Sequence, residues 1–600
     1  MSRVARRLDA LPGPLLQLGV VIAQLAAFVP IAVARDIDGD EGYYTLAASL
    51  VSDGKLPYVD FFYPQMPLLP FAYGPWTSVF GESWFGARSL SVLCAAGTGL
   101  LLYRHASGRW RSRPLGLLAV ALYASSMLVL TWMTVVKTYP LSTLILVGAF
   151  VLADRPDLPQ TPRRWLASGL LLGVGLDARL LFAATVPVFL LYALRATPGA
   201  AGRRLAAAHV AGLGLGLIPA LALAAPDPRR FYFDNLGYHS VRSPGGMFGS
   251  LTDKLEVFGE LLVDYPQFTI LLIAAVAAVV VGRRSGDAFP LSYTLAGALA
   301  VAGLAPNPPF TQDFSTIVPF MVCGALGLVA SVPMERAGAW PRRAAVAALV
   351  AYLAVPLVEL PRNASGGFLG GGDFVADAFR PSNVRRVTES IDEHSSPGQQ
   401  VLAFWPGHLF GSEAEPVPGF EDDFATQGVI NAGYSEEKAR RYDLASPRFL
   451  DDLVRRRGVG LVVIGTLGDW TKRHDSLPLI LRSGYRPVDQ VGVTRILGRG
   501  DPGPAAAIER CLRRAGLRPR LSPRVRDATP IAASLPGGDP VRLFVYPSAR
   551  RARQATADVA RLLRLDPGAV TQAGPTVFAY KSAIRPAGSG VAERCGRTAP

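Results

Sequence analysis

The sequence lacks most of the motifs that soluble enzymes use to bind nucleotides and metal ions. It contains no P-loop, no dinucleotide-binding fingerprint and no other glycine-rich nucleotide turn. Its 600 residues include only six histidines, and these show no metal-ligand spacing. Charged residues are also scarce, at 18% of the chain. A soluble enzyme that uses a nucleotide is therefore not expected.

Acidic residues are also fewer than basic residues. The chain has 46 Asp and Glu residues against 61 Lys and Arg residues, which leaves a formal net charge of +15. Such an excess can indicate a nucleic-acid partner. The sequence has no basic helix and no aromatic motif for stacking on bases, so no nucleic acid is expected to bind. The positions of the arginines are more informative than their number.

Long apolar runs fill the first 360 residues. Half of the chain is hydrophobic, and the hydrophobic residues are concentrated in these runs. About 20 apolar residues span a bilayer. The first run has no clear small-residue cleavage site and other spans follow it, so it is not expected to be a signal peptide. Runs of the required length, or close to it, cover residues 11–34, 115–130, 205–225, 268–281 and 344–358.

Arginine clusters between these runs predict the topology, because Lys and Arg are enriched in cytoplasmic loops. Residues 165–194 are too long for one span and short for two. A tight hairpin there places the later clusters inside and is the better prediction. The result is a polytopic α-helical membrane protein with about eleven transmembrane helices, its amino terminus inside and residues after 361 outside. The clusters lie at residues 3–7, 104–113, 163–164, 203–204, 283–284 and 342–343.

Composition divides the chain into three segments. Residues 1–361 form the predicted transmembrane domain, which includes a first loop at residues 35–84. Residues 362–500 alternate strand-like runs with amphipathic stretches and predict an extracytoplasmic α/β domain. Residues 501–600 follow a Gly- and Pro-containing linker and predict a second small extracytoplasmic α/β module.

The four cysteines fall into two pairs. Cys94 and Cys323 lie in predicted spans and are expected to pack as small apolar side chains. Cys511 and Cys595 both lie in the last module, where an oxidising compartment would permit a disulfide. The sequence leaves that bridge open.

The first loop concentrates acidic residues at the membrane surface. Asp36, Asp38, Asp40 and Glu41 stand within six residues, directly after the first apolar run. The amphipathic and the aromatic, proline-rich stretches that follow are expected to form short interfacial helices that hold the acids over a cavity. A solvated turn is the alternative interpretation. Ionisable groups at this depth are costly and usually functional, which favours a site.

This first loop resembles that of the C-type glycosyltransferases. The likeness rests on the Asp40-Glu41 pair, the Tyr-containing helix after it, G-K-L-P-Y-V-D at residues 54–60 and F-G-E-S-W-F-G-A-R at residues 80–88. The superfamily includes protein O-mannosyltransferases and aminoarabinose transferases, which use polyprenyl-phosphate sugars. The resemblance extends more weakly over the transmembrane domain and the outer soluble domain.

Two departures from the family pattern leave the donor sugar open. Residues 65–68 read Q-M-P-L, where aminoarabinose-type members have K-P-P-L. Residues 308–320, which open the last membrane hairpin, lack the usual basic or tyrosine-rich signature.

The resemblance implies that a sugar moves from a polyprenyl-phosphate carrier to an acceptor hydroxyl. This reaction needs a base for the hydroxyl proton and a group that neutralises the departing phosphate. Asp40 is the candidate base, in a single displacement with inversion, because phosphate leaves without help from a second acid. Glu41 would orient the acceptor or hold a divalent metal ion, and Asp60 would close the same cavity.

Cationic candidates for the donor phosphate lie in predicted outer loops and at the tops of spans. One such loop joins basic and aromatic side chains, and the guanidinium groups of Arg229 and Arg242 suit a phosphate. His239 in the same loop would donate a hydrogen bond or bind a metal ion, and an interfacial aromatic belt is the alternative interpretation. Arg88 and Lys137 are expected to face the same cavity.

Three other polar features favour structural interpretations. Asp177 and Arg179, at the apex of the predicted hairpin, are expected to pair with each other and so reduce the cost of burial. His408 and the acidic run at residues 421–423 are expected to be ordinary surface-loop residues of an α/β domain, and binding of the acceptor or of an ion is the alternative interpretation.

These features predict a multi-pass enzyme of the plasma (inner) membrane. Its partners would be membrane lipids, a polyprenyl-phosphate donor carrying a hexose or pentose, and a cell-wall glycan, lipid or protein acceptor. A divalent metal ion is the only cofactor considered, and its presence stays open. A transporter or lipid flippase is the main alternative, and a non-catalytic scaffold on the same fold is another. The lack of paired repeats favours the enzyme over the transporter.

Overall fold

The computed structural model divides the chain into two compact units. The first comprises Met1–Pro381, Trp405–Gly411 and Pro418–Phe449, and the second comprises Ser382–Phe404, Ser412–Val417 and Leu450–Pro600. This division differs from the predicted boundaries, because two segments of the predicted α/β domain group with the helical unit. The structure describes residues 11–155, 158–242, 251–285, 290–331, 339–366, 376–466, 476–499, 504–521, 528–535, 539–546, 549–583, 586 and 589–597.

The first part of the chain is helical. Short 3-10 helices cover Leu180–Thr185, Thr311–Thr316 and Ala376–Phe379, and Phe233–Gly237 forms a π-helical turn. The α-helices are α1 (Gly13–Ala34), α2 (Glu41–Ser52), α3 (Leu68–Phe80), α4 (Trp84–Arg109), α5 (Arg113–Ala124), α6 (Met127–Trp132), α7 (Thr138–Ala153), α8 (Pro162–Ala178), α9 (Val186–Ala196), α10 (Ala200–Gly216), α11 (Ile218–Ala224), α12 (Pro228–Tyr232), α13 (Tyr238–Arg242), α14 (Leu251–Val263), α15 (Pro266–Ser285), α16 (Leu291–Leu304), α17 (Val318–Ser331) and α18 (Ala339–Gly366).

Several of these helices suit a membrane. Within the described residues, three helices are long and apolar enough to cross a bilayer, or up to five if each of two bent helix pairs counts as one span. The three are Gly13–Ala34, Trp84–Arg109 and Arg342–Pro361. Residues 165–194 lie in two helices joined by a 3-10 helix, and the hairpin stays a prediction. The total of eleven spans and their orientation stay predictions.

Helices α8 and α10 lie very close together because glycines line their contact. A Cβ atom added to Gly169 or Gly212 would lie 2.0 Å from a backbone carbonyl oxygen of the other helix. One turn further along, a Cβ atom added to Gly173 or Gly216 would lie 2.4 or 2.5 Å from a backbone carbonyl oxygen of the other helix. Small residues four positions apart allow close backbone approach between membrane helices, where packing drives association.

The predicted span at residues 115–130 is broken into α5 and α6. The buried side chain of Gln267 satisfies the backbone at the break. Its Oε1 accepts a hydrogen bond from the N–H of Met127 at 2.7 Å, and its Nε2 donates to the carbonyl oxygens of Ser125 at 2.7 Å and Tyr352 at 2.8 Å. Buried backbone groups outside a regular helix need such partners, and Gln267 supplies them.

The first loop contains both of its predicted short helices, α2 and α3. Gly81 follows α3 with a φ of +92°, a conformation that favours glycine. Ser83 then caps α4, because its hydroxyl accepts a hydrogen bond from the N–H of Gly86 at 3.0 Å. This turn leads directly into the helix that carries Arg88.

The later part of the chain adds two five-stranded sheets, so both predicted α/β segments contain strands and helices. The helices are α19 (Pro381–His394), α20 (Asp423–Asn431), α21 (Glu436–Arg440), α22 (Pro447–Arg455), α23 (Ser476–Arg482), α24 (Pro504–Arg514), α25 (Ala549–Leu563) and α26 (Ser589–Arg597). The strands are β1 (Gln400–Ala403), β2 (Glu415–Pro416), β3 (Leu461–Ile464), β4 (Tyr485–Val491), β5 (Thr494–Arg499), β6 (Arg520–Leu521), β7 (Thr529–Ser534), β8 (Pro540–Val545), β9 (Val570–Ala573) and β10 (Thr576–Tyr580).

The two sheets differ in topology. The first has the order β2-β1-β3-β5-β4, with parallel pairs around β1 and antiparallel pairs around β5. The second has the order β6-β7-β8-β10-β9 and is antiparallel throughout. Helices α24 and α26 are joined by a disulfide between Cys511 and Cys595, which the sequence left open. Cys94 and Cys323 are buried free thiols, as expected.

Candidate active site

The acidic turn after α1 is fixed by hydrogen bonds between its own side chains and backbone. The N–H of Asp40 donates to Oδ1 of Asp38 at 3.0 Å, and the N–H of Asp38 donates to Oε2 of Glu41 at 2.8 Å. Asp and Glu suit this position because the free N–H groups and the dipole at the start of a helix favour negative charge. The local sequence therefore folds the turn and presents three carboxylates at the start of α2.

Glu41 is completely buried and forms an ion pair with Arg88 of α4. Its Oε1 accepts hydrogen bonds from Nε of Arg88 at 2.8 Å and from the N–H of Val136 at 2.9 Å. Its Oε2 accepts from Nη2 of Arg88 at 2.6 Å and from the N–H of Asp38. Both oxygens are thus engaged, and the carboxylate holds the turn in place.

Arg88 uses all five of its N–H donors within the protein. Besides the two bonds to Glu41, Nη1 donates to the carbonyl oxygens of Ala32 and Arg35, each at 2.8 Å, and Nη2 donates to that of Asp36 at 3.0 Å. A guanidinium has no further donors. In this conformation Arg88 has no N–H group left for a donor phosphate, which contradicts its predicted phosphate-binding role. Its donors instead hold the end of α1 and the carboxylate of Glu41.

Lys137 lies beside the other two acids of the turn. Its Nζ is 2.8 Å from Oδ1 of Asp38 and 3.0 Å from Oδ2 of Asp40, and it donates to Oε1 of Gln312 at 2.6 Å. The ammonium also lies over the ring of Trp132, 4.9 Å from its centroid. The structure therefore brings the predicted base and one predicted cation into direct contact.

The charges of this cluster shift the pKa values of its members. Burial alone would raise the pKa of the Asp38 carboxyl, but the charges of Lys137 and Arg35 outweigh burial and lower this pKa. Burial alone would lower the pKa of Lys137, but the charges of Asp38 and Asp40 raise it above its usual value. Both groups are therefore ionised at neutral pH.

A second ion pair, between Arg179 and Asp313, contacts the two residues that follow Lys137 in the chain. Nη2 of Arg179 is 2.6 Å from Oδ1 of Asp313, which also accepts a hydrogen bond from the hydroxyl of Tyr139 at 2.9 Å. Nη1 of Arg179 donates to the hydroxyl of Thr138 at 2.9 Å. The predicted Asp177–Arg179 pair is wrong, because the partner of Arg179 comes from a segment 134 residues later.

The segment Trp405–Gly411 packs on the acidic turn. Nε1 of Trp405 donates to the carbonyl oxygen of Gly39 at 2.8 Å. A Cβ atom on Gly42 would lie 2.7 Å from that indole nitrogen and 2.8 Å from the backbone nitrogen of Gly407. Glycine is therefore required directly after the Asp40-Glu41 pair. His408 in this segment is buried, which lowers its pKa to about 3.

The acidic run at residues 421–423 is buried in the same unit as the turn. Asp422 caps α20, because its Oδ1 accepts from the N–H of Ala425 at 3.0 Å. Oε2 of Glu421 and Oδ1 of Asp423 are buried and have no hydrogen-bond partner within the described residues. The prediction that these residues are ordinary surface-loop residues is therefore wrong.

Burial raises the pKa of two of these acids, so they stay protonated at a higher pH than exposed acids do. It raises the pKa of Glu421 to about 7. Burial also raises the pKa of Asp423, and the negative charges of Asp422 and Asp40 raise it further. The influence of Asp40 shows that this run belongs to the same electrostatic environment as the acidic turn. Sequence reasoning noted the run but gave no reason to connect segments almost 400 residues apart.

The remaining predicted residues lie outside the Lys137 cluster. Asp60 is exposed, and its Oδ2 accepts a hydrogen bond from the N–H of Leu56 at 2.7 Å. Arg229 is exposed, and the buried cation of that loop is Arg230, 2.6 Å from Oδ2 of Asp443. Ring nitrogen Nε2 of His239 lies 3.2 Å from the carbonyl oxygen of Pro64. The side chain of Arg242 falls outside the described residues.

The residues predicted to hold a divalent metal ion do not fit one. Both oxygens of Glu41 already accept N–H donors, and His239 is bonded to a carbonyl oxygen. No group of three His, Cys, Asp or Glu side chains suited to a metal ion occurs in the part of the chain that the structure describes. No step of the chemistry below is assigned to a metal.

Comparison with known proteins finds one matching family and similar solved structures. Residues 64–226 match the family described as dolichyl-phosphate-mannose-protein mannosyltransferase. No curated protein sequence matches the chain. The crystal structure of ArnT from Cupriavidus metallidurans bound to undecaprenyl phosphate is similar, with a TM-score of 0.58 at 15% identity over 82% of this chain and 99% of that chain. The apo form of ArnT gives a TM-score of 0.55 at 16% identity over 81% and 97%. The resemblance expected from the first loop is thus confirmed, because residues 64–226 match this family of glycosyltransferases and the chain shares the fold of ArnT.

Proposed function

We propose that this protein is a membrane glycosyltransferase that moves a sugar from a polyprenyl-phosphate carrier to a hydroxyl group of a cell-wall glycan, lipid or protein. We place the reaction on the outer side of the plasma (inner) membrane. The observation that carries the proposal is the contact between Asp40 and Lys137, a half-buried carboxylate and a buried ammonium 3.0 Å apart on a turn held by Arg88. This contact brings together a candidate base, Asp40, and a candidate phosphate-binding cation, Lys137.

Asp40 is the best-placed base of the three acids in the turn. Its side chain is 35% exposed, whereas that of Asp38 is 17% exposed and that of Glu41 is fully buried. Asp40 takes the proton of the acceptor hydroxyl while the hydroxyl oxygen attacks the anomeric carbon. The bond from that carbon to the phosphate oxygen breaks, and its electrons leave with the lipid phosphate. One displacement of this kind inverts the anomeric configuration.

Lys137 neutralises the charge that develops on the departing phosphate. In the structure its ammonium contacts Asp38, Asp40 and Gln312, so a donor phosphate has to compete with these oxygens. When the phosphate takes a share of the ammonium, Oδ2 of Asp40 is freed to face the acceptor. Binding of the donor thereby prepares the base.

Glu41 and Asp423 have supporting roles in this proposal. Glu41 is a positioning residue, because it touches Arg88 and backbone N–H groups rather than open space. A carboxyl with a raised pKa stays protonated and can donate a hydrogen bond. We therefore assign Asp423 to a hydroxyl group of the sugar, because its buried Oδ1 has no hydrogen-bond partner within the described residues and burial raises its pKa.

The test is turnover by the purified protein in lipid nanodiscs. Undecaprenyl phosphates carrying labelled mannose, arabinose or galactose are supplied with membrane extracts as acceptors, and the anomeric configuration of the product is determined. Transfer with inversion supports the proposal. Uptake of a solute into sealed vesicles without transfer would favour a transporter, and tight binding of the donor without turnover would favour a scaffold.

A further inference from the structure

The positive charge of this protein is concentrated in its last module. Residues 504–600 contain 17 Lys and Arg against six Asp and Glu, a net charge of +11, and residues 1–503 supply the remaining +4. Sixteen of those 17 residues are arginine. None of the candidate membrane spans among the described residues lies in this module, so the enrichment of cytoplasmic loops in arginine does not account for the charge.

The sheet of this module is covered completely on one face and only partly on the other. Helices α24 and α26 pack on one face through Ile508, Leu512 and Ala592. On the opposite face, Ala552 and Val559 of α25 pack in one apolar cluster with residues of β9 and β10. The outward positions of β6, β7 and β8 on that face are exposed, and they are Arg520, Ala532, Ser534, Pro540 and Arg542. We call these five residues the open strand face.

The strand register places two arginines in one row on the open strand face. Arg520 of β6 is directly opposite Ala532 of β7, and Ala532 is directly opposite Arg542 of β8. Side chains directly opposite each other in antiparallel strands point to the same face. Since neighbouring strands are about 4.8 Å apart, the two arginine backbones lie about 10 Å apart across the small Ala532.

Among the described residues, no acid forms an ion pair with either of these two arginines. Two other exposed arginines of the module are paired, Arg513 with Glu509 at 2.7 Å and Arg561 with Asp558 at 3.6 Å. Neither Arg520 nor Arg542 forms an ion pair with an acid in the described part of the module. Two unpaired like charges in one row repel each other, and an anion bound between them removes that cost.

We propose that the open strand face binds a polyanionic glycan, one that carries carboxylate or phosphate groups along its length. The planar guanidinium of arginine matches both groups with two parallel hydrogen bonds. Only the small Ala532 lies between the two arginines in this row, which suits a chain lying across the strands. This proposal goes beyond the transfer reaction and does not depend on it.

Two features favour a glycan over other polyanions. The disulfide between Cys511 and Cys595 is typical of an oxidising compartment, where nucleic acid is not the prevailing polyanion. A surface that enters a lipid headgroup region usually combines basic residues with aromatic or long apolar side chains. The open strand face has Ala532, Ser534 and Pro540 instead.

The test compares two variants that lose the same charge. The full-length protein in nanodiscs of zwitterionic lipid is titrated with polygalacturonate and with neutral dextran of equal length. Arg520→Ala/Arg542→Ala is expected to weaken polygalacturonate binding about tenfold, since each exposed charge pair is worth up to about 1 kcal/mol. The control is Arg440→Ala/Arg441→Ala, at the carboxyl end of α21, whose arginine side chains are 67% and 70% exposed. It should bind like the wild type.

Three outcomes would overturn the proposal. Equal weakening in both variants would show that only the net charge matters. Absence of polygalacturonate binding by the wild type would remove the site. Loss of binding to phosphatidylglycerol vesicles in the Arg520/Arg542 variant, with glycan binding unchanged, would assign the open strand face to a membrane surface. Each outcome is read from binding alone, so failure of the glycosyltransferase proposal would not affect it.

Discussion

Two ion pairs arise from adjacent residues of one turn, yet their surroundings differ. Glu41 and Arg88 are buried side chains in which both carboxylate oxygens and all five guanidinium donors have partners. Asp40 and Lys137 form a looser pair, in which the carboxylate is 35% exposed and the ammonium is shared with Asp38 and Gln312.

The difference separates a structural role from a chemical one. A buried pair with every hydrogen bond satisfied cannot exchange partners without a large cost, so it fixes geometry. A partly exposed carboxylate next to a shared cation can change partners when an anion arrives. The conspicuous Asp40-Glu41 dipeptide therefore contains one reactive residue and one positioning residue.

Asp40→Asn is expected to reduce transfer about a thousandfold, because a positioned general base contributes typically 10²–10⁴-fold. The asparagine keeps the shape of the side chain, so folding and affinity for undecaprenyl phosphate should be retained. Initial rates with a labelled polyprenyl-phosphate sugar measure the loss. Asp53→Asn, at an exposed acid of the same loop, is the matched control. Activity of Asp40→Asn within threefold of the wild type would move the base elsewhere.

Arg88→Met should destabilise the protein by about 3–5 kcal/mol, because it leaves the buried Glu41 carboxylate without its cation. Arg88→Lys should recover part of the loss, since lysine restores the charge but not the five-donor fork. The thermal unfolding midpoint in nanodiscs measures both. A stable, well-folded Arg88→Met protein that lacks activity would contradict the positioning role and point to a direct one.

Lys137→Gln should weaken the binding of undecaprenyl phosphate about 10- to 100-fold, because a hydrogen bond to a charged group is worth about 1.5–3 kcal/mol. Equilibrium titration gives the dissociation constant without turnover. The same substitution removes the cation that Asp38 and Asp40 share. An unchanged dissociation constant together with a lower kcat would restrict Lys137 to the chemical step.

Glu421→Gln should raise the unfolding midpoint at pH 8 by roughly 2–4 °C and leave it unchanged at pH 4. Burial raises the pKa of Glu421 from 4.5 to about 7, so the folded state holds a proton that the unfolded state releases between these values. Wild-type stability therefore falls as the pH rises through this interval, and glutamine has no such loss. Glu437→Gln, with a side chain 82% exposed, is the control. A similar rise in that variant would exclude burial as the cause.

Local sequence predicted the parts of the site that lie in one continuous segment. The acids at residues 36–41 and the short helices after them form one loop, which the acid cluster and the amphipathic and aromatic pattern predicted. Lys137 was also identified, because a lysine in a very short loop between apolar runs is conspicuous. The likeness to the C-type glycosyltransferases rested on this segment and was confirmed.

Partners from distant segments were assigned poorly. Arg179 was paired with its neighbour Asp177, but it contacts Asp313. Arg88 was assigned to a phosphate, although its five donors are used by the end of α1 and by Glu41. Periodicity and charge patterns describe neighbours along the chain. They contain no information on which buried charges meet when helices pack.

The sequence by itself determined that this chain has long apolar helices, an acidic turn after the first of them, and two later α/β segments. Spacing of apolar residues and local hydrogen bonding are properties of a continuous stretch, so they are readable without a structure. Only the tertiary structure decided that Glu41 is saturated while Asp40 is accessible, and that Glu421 and Asp423 are buried in the same unit as the turn. Burial and partner choice depend on packing between segments hundreds of residues apart, and these two properties separate a reactive carboxylate from a structural one.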